Sequence, residues 1–269
     1  MRLGISSYTY TWAVGVPGHL PPQPLSAADL VRRAAEKGLG CVQVADNLPL
    51  DALTDAERRE LRTLAAEVAV AIEVGARGLT PDRLERYLDL AVFFHSPVLR
   101  FVIDGPGYEP SLDEVVAVIG AALPRLRETG VRLAVENHDR LRSGEFRDIV
   151  LRTDPERVGI CLDSVNSMGA GEGVREVVAA LAPHTLNLHV KDFAVERVSH
   201  KMGFVVTGVP AGQGMLDVPW LLGEIRGHGR CHSAILELWT PPADTIEETV
   251  AREASWADES LRYLKPLFA

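Results

Sequence analysis

Short runs rich in Val, Ile and Leu recur along the chain at near-regular intervals, and each is followed by a longer stretch with helical spacing of its apolar residues. The runs are RLGIS (2–6), GCVQVA (40–45), VAIEV (70–74), VLRFVI (98–103), VRLAVE (131–136), VGICLD (158–163), TLNLHV (185–190) and SAILEL (233–238). Continuous apolar runs, unlike in-out alternation, belong to strands buried on both faces of a parallel sheet. Eight such strands are predicted.

The stretches between them carry helix start signals, in which a side-chain oxygen caps an exposed backbone N–H and an acid three residues on caps in return. Ser26 with Asp29, Thr54 with Glu57, Ser111 with Glu114 and Thr245 with Glu248 fit that pattern. Thr80 before Pro81 adds a cap with proline at the first helical position, and Gly38 and Gly130 stand where helices should stop. Eight β-α units at this length match a (β/α)8 TIM barrel, a single domain over residues 1–269. An open doubly wound sheet is the alternative, but no G-x-G-x-x-G or Walker loop follows the first strand. The connector from Lys191 to Leu216 stands out by its length and its four glycines, Gly203, Gly208, Gly212 and Gly214, and is expected to form a lid or binding loop.

Composition supports an enzyme-sized folded domain: of 269 residues, 46% are hydrophobic and 24% charged. With 28 Lys+Arg against 37 Asp+Glu, the net charge of −9 and the absence of a basic run argue against nucleic acid and anionic membranes as partners. The first fifteen residues lack a basic segment followed by an apolar one, and no window approaches 18 uninterrupted apolar residues, so a cytoplasmic protein is expected. Cys41, Cys161 and Cys231 are too few and too scattered for a disulfide frame or a thiolate zinc site.

A strand buried on both faces has no cheap place for a charge. Four strands nevertheless end on one: Glu136 closes VRLAVE, Asp163 closes VGICLD, His189 lies near the end of TLNLHV, and Glu237 near the end of SAILEL. In a barrel all four converge on the carboxyl-end rim, where active sites of this fold are built. Three carboxylates and an imidazole repel one another unless a cation intervenes, and O,O,O,N donors suit Mn²⁺ first, with Mg²⁺ or Co²⁺ as alternatives. The competing interpretation pairs Glu136 and Asp163 with Arg100 or Lys191 and leaves His189 a satisfied core residue. Asn137, His138 and Asn166 are candidates for substrate contact or for steadying the ligands, and Lys191 could set a cation beside a developing oxyanion. Tyr8, Tyr10, Trp12, Phe193 and Trp239 could wall a sugar-sized pocket; Tyr8, Trp12 and Trp239 are taken as its substrate-binding residues. Asp46 and Glu73 also end strands, with contact or structural roles equally open, and the remaining histidines are taken as surface or packing residues.

Glu136 in AVENH, Asp163 and Asn166 in CLDSVN, His189 in NLHVKD and Glu237 in ILELW together resemble the xylose isomerase-like TIM-barrel superfamily, the sugar phosphate isomerase/epimerase group. The resemblance covers nearly the whole chain. It implies a divalent-metal barrel acting on a ketose or keto-acid, with Glu136 and Glu237 both binding metal and shuttling protons. Two positions depart from tagatose- and psicose-type epimerases, which have a histidine where this chain has Asn166 and an arginine where it has Val195. The DNA-repair endonuclease branch needs several more histidines than stand here. SSYTYTWAVG, ADNLPL, MGFVVTGVPAGQG and ELWTPP also resemble the branch that includes 3-oxo-isoapionate decarboxylases. The expectation is therefore a metal-dependent isomerase or epimerase working through an enediolate. A decarboxylase of a branched 3-oxo sugar acid comes second and a non-catalytic sugar-binding barrel third. In the decarboxylase, Lys191 would orient the departing carboxylate. The partner is a small sugar or sugar acid, and a homo-oligomer is possible.

Overall fold

The computed structural model describes residues 1–269. Its strands are β1 (Arg2–Ser6), β2 (Cys41–Val44), β3 (Ala71–Arg77), β4 (Val98–Val102), β5 (Arg132–Glu136), β6 (Val158–Asp163), β7 (Thr185–Val190), β8 (Asp192–Arg197), β9 (Phe204–Val209) and β10 (Ser233–Leu236). A short helix α1 (Thr11–Val14) precedes eight further helices: α2 (Ala27–Glu36), α3 (Asp55–Glu67), α4 (Pro81–Phe93), α5 (Leu112–Thr129), α6 (Ser143–Arg152), α7 (Val174–Leu181), α8 (Val218–Arg226) and α9 (Ile246–Leu264).

β1 to β7 and β10 close into a parallel barrel in the order β1-β10-β7-β6-β5-β4-β3-β2. The apolar runs explain the closure: β2, β4, β6, β7 and β10 are buried at every position, which an open sheet edge would not allow. The helices form the outer layer, and their sequence caps are in place. Ser26, Thr54, Ser111 and Thr245 each make the reciprocal capping box, Thr80 caps α4 with Pro81 behind it, and Gly130 ends α5 in the left-handed conformation at φ 73°. No helix is long and apolar enough to cross a membrane.

Two local features differ from the sequence expectation. SAILEL stops being strand at Leu236, so Glu237 lies one residue past β10, although its N–H still reaches Val190 O at 3.1 Å and continues the ladder. The long connector is largely a β-hairpin, with β8 and β9 antiparallel and Ala194 opposite Thr207, Val195 opposite Val206 and Glu196 opposite Val205. Facing β-branched residues favour a pleated ribbon over an irregular loop. Gly208 anchors it, because a Cβ there would stand 2.5 Å from Trp239 O and against the Trp239 ring. The hairpin therefore seats directly on the segment that follows β10.

Candidate functional site

β5, β6, β7 and β10 are neighbours in the barrel, so the charges at their carboxyl ends become neighbours as well. Glu136 and Asp163 are the last residues of β5 and β6, Asp163 is paired in register with His189, and His189 with Ile235, two residues before Glu237. Glu136, Asp163, His189 and Glu237 are each at most 1% exposed. His189 Nδ1 lies 3.5 Å from Glu237 Oε1, 3.6 Å from Glu136 Oε2 and 3.7 Å from Asp163 Oδ2. Lys191 Nζ stands 2.8 Å from Asp163 Oδ2 and 2.9 Å from Glu237 Oε2. Arg100 Nε faces Glu136 Oε2, and its NH1 donates to Asp46 Oδ1 at 2.8 Å. The predicted cluster and the competing ion pairs are thus both present in one arrangement.

The cluster's proton affinities follow from this packing. Burial opposes the charge on Asp163 and Glu237, but Lys191 and His189 outweigh it and hold both carboxyls below the usual range. Burial likewise opposes charge on His189 and Lys191, yet the surrounding carboxylates raise both. Lys191 is therefore an ammonium.

Three buried polar atoms of the cluster have no aligned hydrogen-bond partner: Asp163 Oδ2, His189 Nδ1 and Glu237 Oε2. Lys191 is near two of them without hydrogen-bond geometry. Asp163, His189 and Glu237 each offer a ligand atom within 4.8 Å of the others, and so does a second trio of Glu136, Cys161 and His189. Burial pushes the Cys161 thiol well up, and its Sγ donates to Asn187 Oδ1 at 3.0 Å, which disfavours the thiolate a soft metal would take. Two carboxylate oxygens and one imidazole nitrogen fit a divalent cation such as Mn²⁺ or Mg²⁺.

Both Glu136 oxygens are engaged, Oε2 by Arg100 and Oε1 by Asn166 Nδ2 at 3.0 Å. Glu237 Oε1 accepts from Ser6 Oγ at 2.9 Å, and Asp163 Oδ1 accepts the backbone N–H groups of Val165 and Asn166, each at 2.9 Å. Asn137 braces the end of β6, with Nδ2 donating to Asp163 O at 3.0 Å and Oδ1 accepting from Asp163 N at 2.7 Å. Asp46, whose role the sequence left open, is a hub for Arg100, Arg77 and the Tyr8 hydroxyl, which donates to its Oδ2 at 3.0 Å. His138 contacts Arg77 NH2 at 3.2 Å and Asp139 on the rim beside it.

A cavity of about 540 Å³ opens on Lys191 and is walled by Tyr8, Trp12, Trp239 and the hairpin residues Val206 and Thr207. Lys191 is the group of the cluster that reaches it, with 14% of its side chain exposed. Trp12 Nε1 donates to Thr240 O at 2.8 Å and Trp239 Nε1 to Asp192 O at 3.1 Å, which fixes both rings. Phe193 is buried and Tyr10 lies in the core, where burial raises its pKa to about 12. Gln43, Asn187 and Ser6 escaped the sequence reading. The signal was present: Gln43 in GCVQVA and Asn187 in TLNLHV are polar residues inside runs buried on both faces, the same anomaly that exposed the four charges.

A family model described as xylose isomerase-like TIM barrel matches residues 3–267. A 3-oxo-isoapionate decarboxylase of Pectobacterium atrosepticum is 33% identical over 264 residues, covering 98% of this chain and 95% of that protein. Among solved structures, a D-psicose 3-epimerase with D-tagatose from Clostridium cellulolyticum H10 is similar with a TM-score of 0.72 at 14% identity, covering 98% of this chain and 99% of that one. A xylose isomerase-like TIM barrel protein from Mycobacterium smegmatis in complex with magnesium gives a TM-score of 0.70 at 16% identity, covering 98% and 97%.

Proposed function

The chain belongs to the xylose isomerase-like TIM barrel family, and from that premise we propose that it is a metal-dependent decarboxylase of a branched 3-oxo sugar acid. The observation that carries this reading is Glu136, whose two oxygens are taken by Arg100 and Asn166. A proton relay between two carboxylates needs both of them free. Loss of CO2 followed by a single protonation does not. The full-length likeness to a 3-oxo-isoapionate decarboxylase supports the same choice.

In a 3-oxo acid the bond between the carboxylate carbon and the carbon beside the ketone breaks, its electron pair moves onto the ketone oxygen, and CO2 leaves. The enolate carbon then takes one proton. Asp163, His189 and Glu237 would hold the divalent cation with Glu136 alongside, and the cation supplies positive charge where the ketone oxygen becomes negative. Lys191, which lines the cavity, would first pair with the substrate carboxylate and then deliver the proton to carbon from Nζ. Lys191 is an ammonium beside Asp163 and Glu237, and once a cation has taken those two carboxylates the substrate carboxylate would hold it so, which makes it an electrostatic and acid group and not the free amine that a Schiff base requires. Tyr8, Trp12 and Trp239 flank the cavity as apolar walls and exclude water from the reacting carbon.

A ketose or keto-acid isomerase or epimerase is the second reading, favoured by Glu136 and Glu237 lying at nearly equal distances from His189 Nδ1. Incubating the Mn²⁺-loaded protein with 3-oxo-isoapionate in deuterated water decides between them. One CO2 released per substrate, abolished by chelation and restored by Mn²⁺, supports the decarboxylase. Deuterium in recovered substrate without gas supports the isomerase, and binding without turnover leaves a sugar-binding barrel.

A further inference from the structure

Below the charged cluster, the barrel interior holds a layer of polar groups that the chemistry above does not use. Gln43 of β2, Glu73 of β3, and Asn187 of β7 are buried there, with Glu73 3% exposed and the other two 0%. Gln43 pairs in register with Glu73, and Asn187 with Ser233, and the side chains of the two pairs meet across the barrel interior. Gln43 Nε2 donates to Asn187 Oδ1 at 3.0 Å and to Glu73 Oε2 at 3.3 Å. Asn187 Nδ2 donates to Ser233 Oγ at 2.8 Å and to the same Glu73 Oε2 at 3.3 Å. Gln43 Oε1 then meets His189 Nε2 at 2.7 Å.

These contacts leave one way for each amide to sit. Rotating the Gln43 amide by half a turn would put its oxygen against Glu73 Oε2 and Asn187 Oδ1, three acceptors with no proton between them. Rotating Asn187 would put its oxygen against Glu73 Oε2 and its NH2 against that of Gln43. Asn187 is also held from outside this pair, its Oδ1 accepting from Cys161 Sγ at 3.0 Å and its Nδ2 reaching Ser233 O at 3.5 Å, so a flipped Gln43 would still meet the Asn187 oxygen whichever protonation state Glu73 holds. Gln43 therefore presents an acceptor to His189 Nε2, and a neutral imidazole answers an acceptor by carrying its hydrogen on that nitrogen. The lone pair is left on Nδ1, the atom that faces Glu136, Asp163 and Glu237 and has no partner of its own.

We propose that Gln43, oriented by Glu73 and Asn187, is a positioning residue that holds His189 in its Nε2–H form and makes Nδ1 the metal-ligating nitrogen. The proposal rests on the reading of Asp163, His189 and Glu237 as a divalent-cation centre. It adds β2 and β3 to the elements that build the site. The lock also resists rotation of the imidazole, since turning the ring would break the contact to Gln43.

The test uses protein labelled with ¹⁵N-histidine, the imidazole nitrogen shifts of His189, and calorimetric Mn²⁺ titration of wild type, Gln43→Met and Gln43→Glu. Methionine fills nearly the same volume with at most a weak acceptor, whereas glutamate, entering as the neutral acid with its O–H toward Glu73 Oε2 and Asn187 Oδ1, keeps a carbonyl acceptor for His189. With Mg²⁺ bound, wild type is expected to show a protonated Nε2 and an unprotonated Nδ1. Gln43→Met should weaken Mn²⁺ binding about 10–100-fold, and Gln43→Glu should bind Mn²⁺ close to wild type with Nε2 still protonated. A hydrogen on Nδ1 in wild type, or unchanged Mn²⁺ affinity in Gln43→Met, overturns the proposal. Should Gln43→Met fail to fold, the wild-type shifts alone decide it. If wild type takes up no Mn²⁺, the metal reading fails instead, and the shifts of metal-free protein, titrated until the imidazole is neutral, still report which nitrogen carries the hydrogen.

Discussion

Replacing Arg100 by methionine removes a guanidinium that is 3% exposed and lies between two carboxylates. Asp46 keeps other partners, Arg77 Nε at 3.3 Å and the Tyr8 hydroxyl at 3.0 Å. Glu136 keeps the Asn166 amide at 3.0 Å and the more distant His189 Nδ1 at 3.6 Å, and its carboxyl stays buried beside Asp163 and Glu237. Removing one partner of a buried pair in this way costs about 3–5 kcal/mol, because the stranded charge has lost its water and gained nothing in return. Urea unfolding of the metal-free protein measures it, with an unchanged m-value showing that the unfolded state is the same. The double variant Arg100→Met, Glu136→Gln removes the stranded charge and should recover about 2 kcal/mol or more relative to additive losses. Additivity of the two substitutions, or a loss well under about 1 kcal/mol in Arg100→Met, would refute the claim that Arg100 is the partner that occupies the buried Glu136 carboxyl.

Other consequences are equally direct. Lys191→Met should lose turnover yet bind Mn²⁺ about tenfold more tightly or better, since a cation that competes for Asp163 and Glu237 is gone; calorimetry and a CO2 assay on the same sample check both. Glu237→Gln should lose turnover with the fold intact by circular dichroism, and Mn²⁺ affinity should fall by more than about 100-fold. Buried Glu253 of α9 accepts the backbone N–H groups of Trp12 and Ala13, each at 3.0 Å, and burial raises its pKa from 4.5 to about 7. A folded-state pKa above the unfolded one contributes stability that is full below pH 4.5 and is lost as pH rises to about 7. The loss is on the order of 3 kcal/mol. Glu253→Gln should flatten that part of the stability profile measured by urea unfolding from pH 4.5 to 8.

The barrel was legible because its signals are local and redundant. Each apolar run reads as a doubly buried strand by itself, and caps such as Ser111 with Glu114 mark the helices between them. The four site charges were legible for the same reason, since Glu136, Asp163, His189 and Glu237 contradict the runs that contain them. The hairpin was not, because glycines such as Gly203 and Gly208 suggest a loop, and the pairing of Val195 with Val206 spans a turn whose register only tertiary contact with Trp239 sets. Arg100 and Lys191 were visible as possible partners, but the sequence could not show that cations and carboxylates coexist in one cluster, which depends on distances across five strands. Gln43, Glu73 and Asn187 lie a hundred or more residues apart at the extremes, and only closure of the barrel puts them under His189.

Anomalous diffraction at the manganese edge from crystals soaked in Mn²⁺ tests the central claim most directly. One peak is expected within coordination distance of Asp163 Oδ2, His189 Nδ1 and a Glu237 carboxylate oxygen, with Lys191 Nζ drawn away toward the cavity. A map with no peak at those atoms under saturating Mn²⁺, or with Lys191 still lodged between Asp163 and Glu237 and the ion elsewhere, would contradict it.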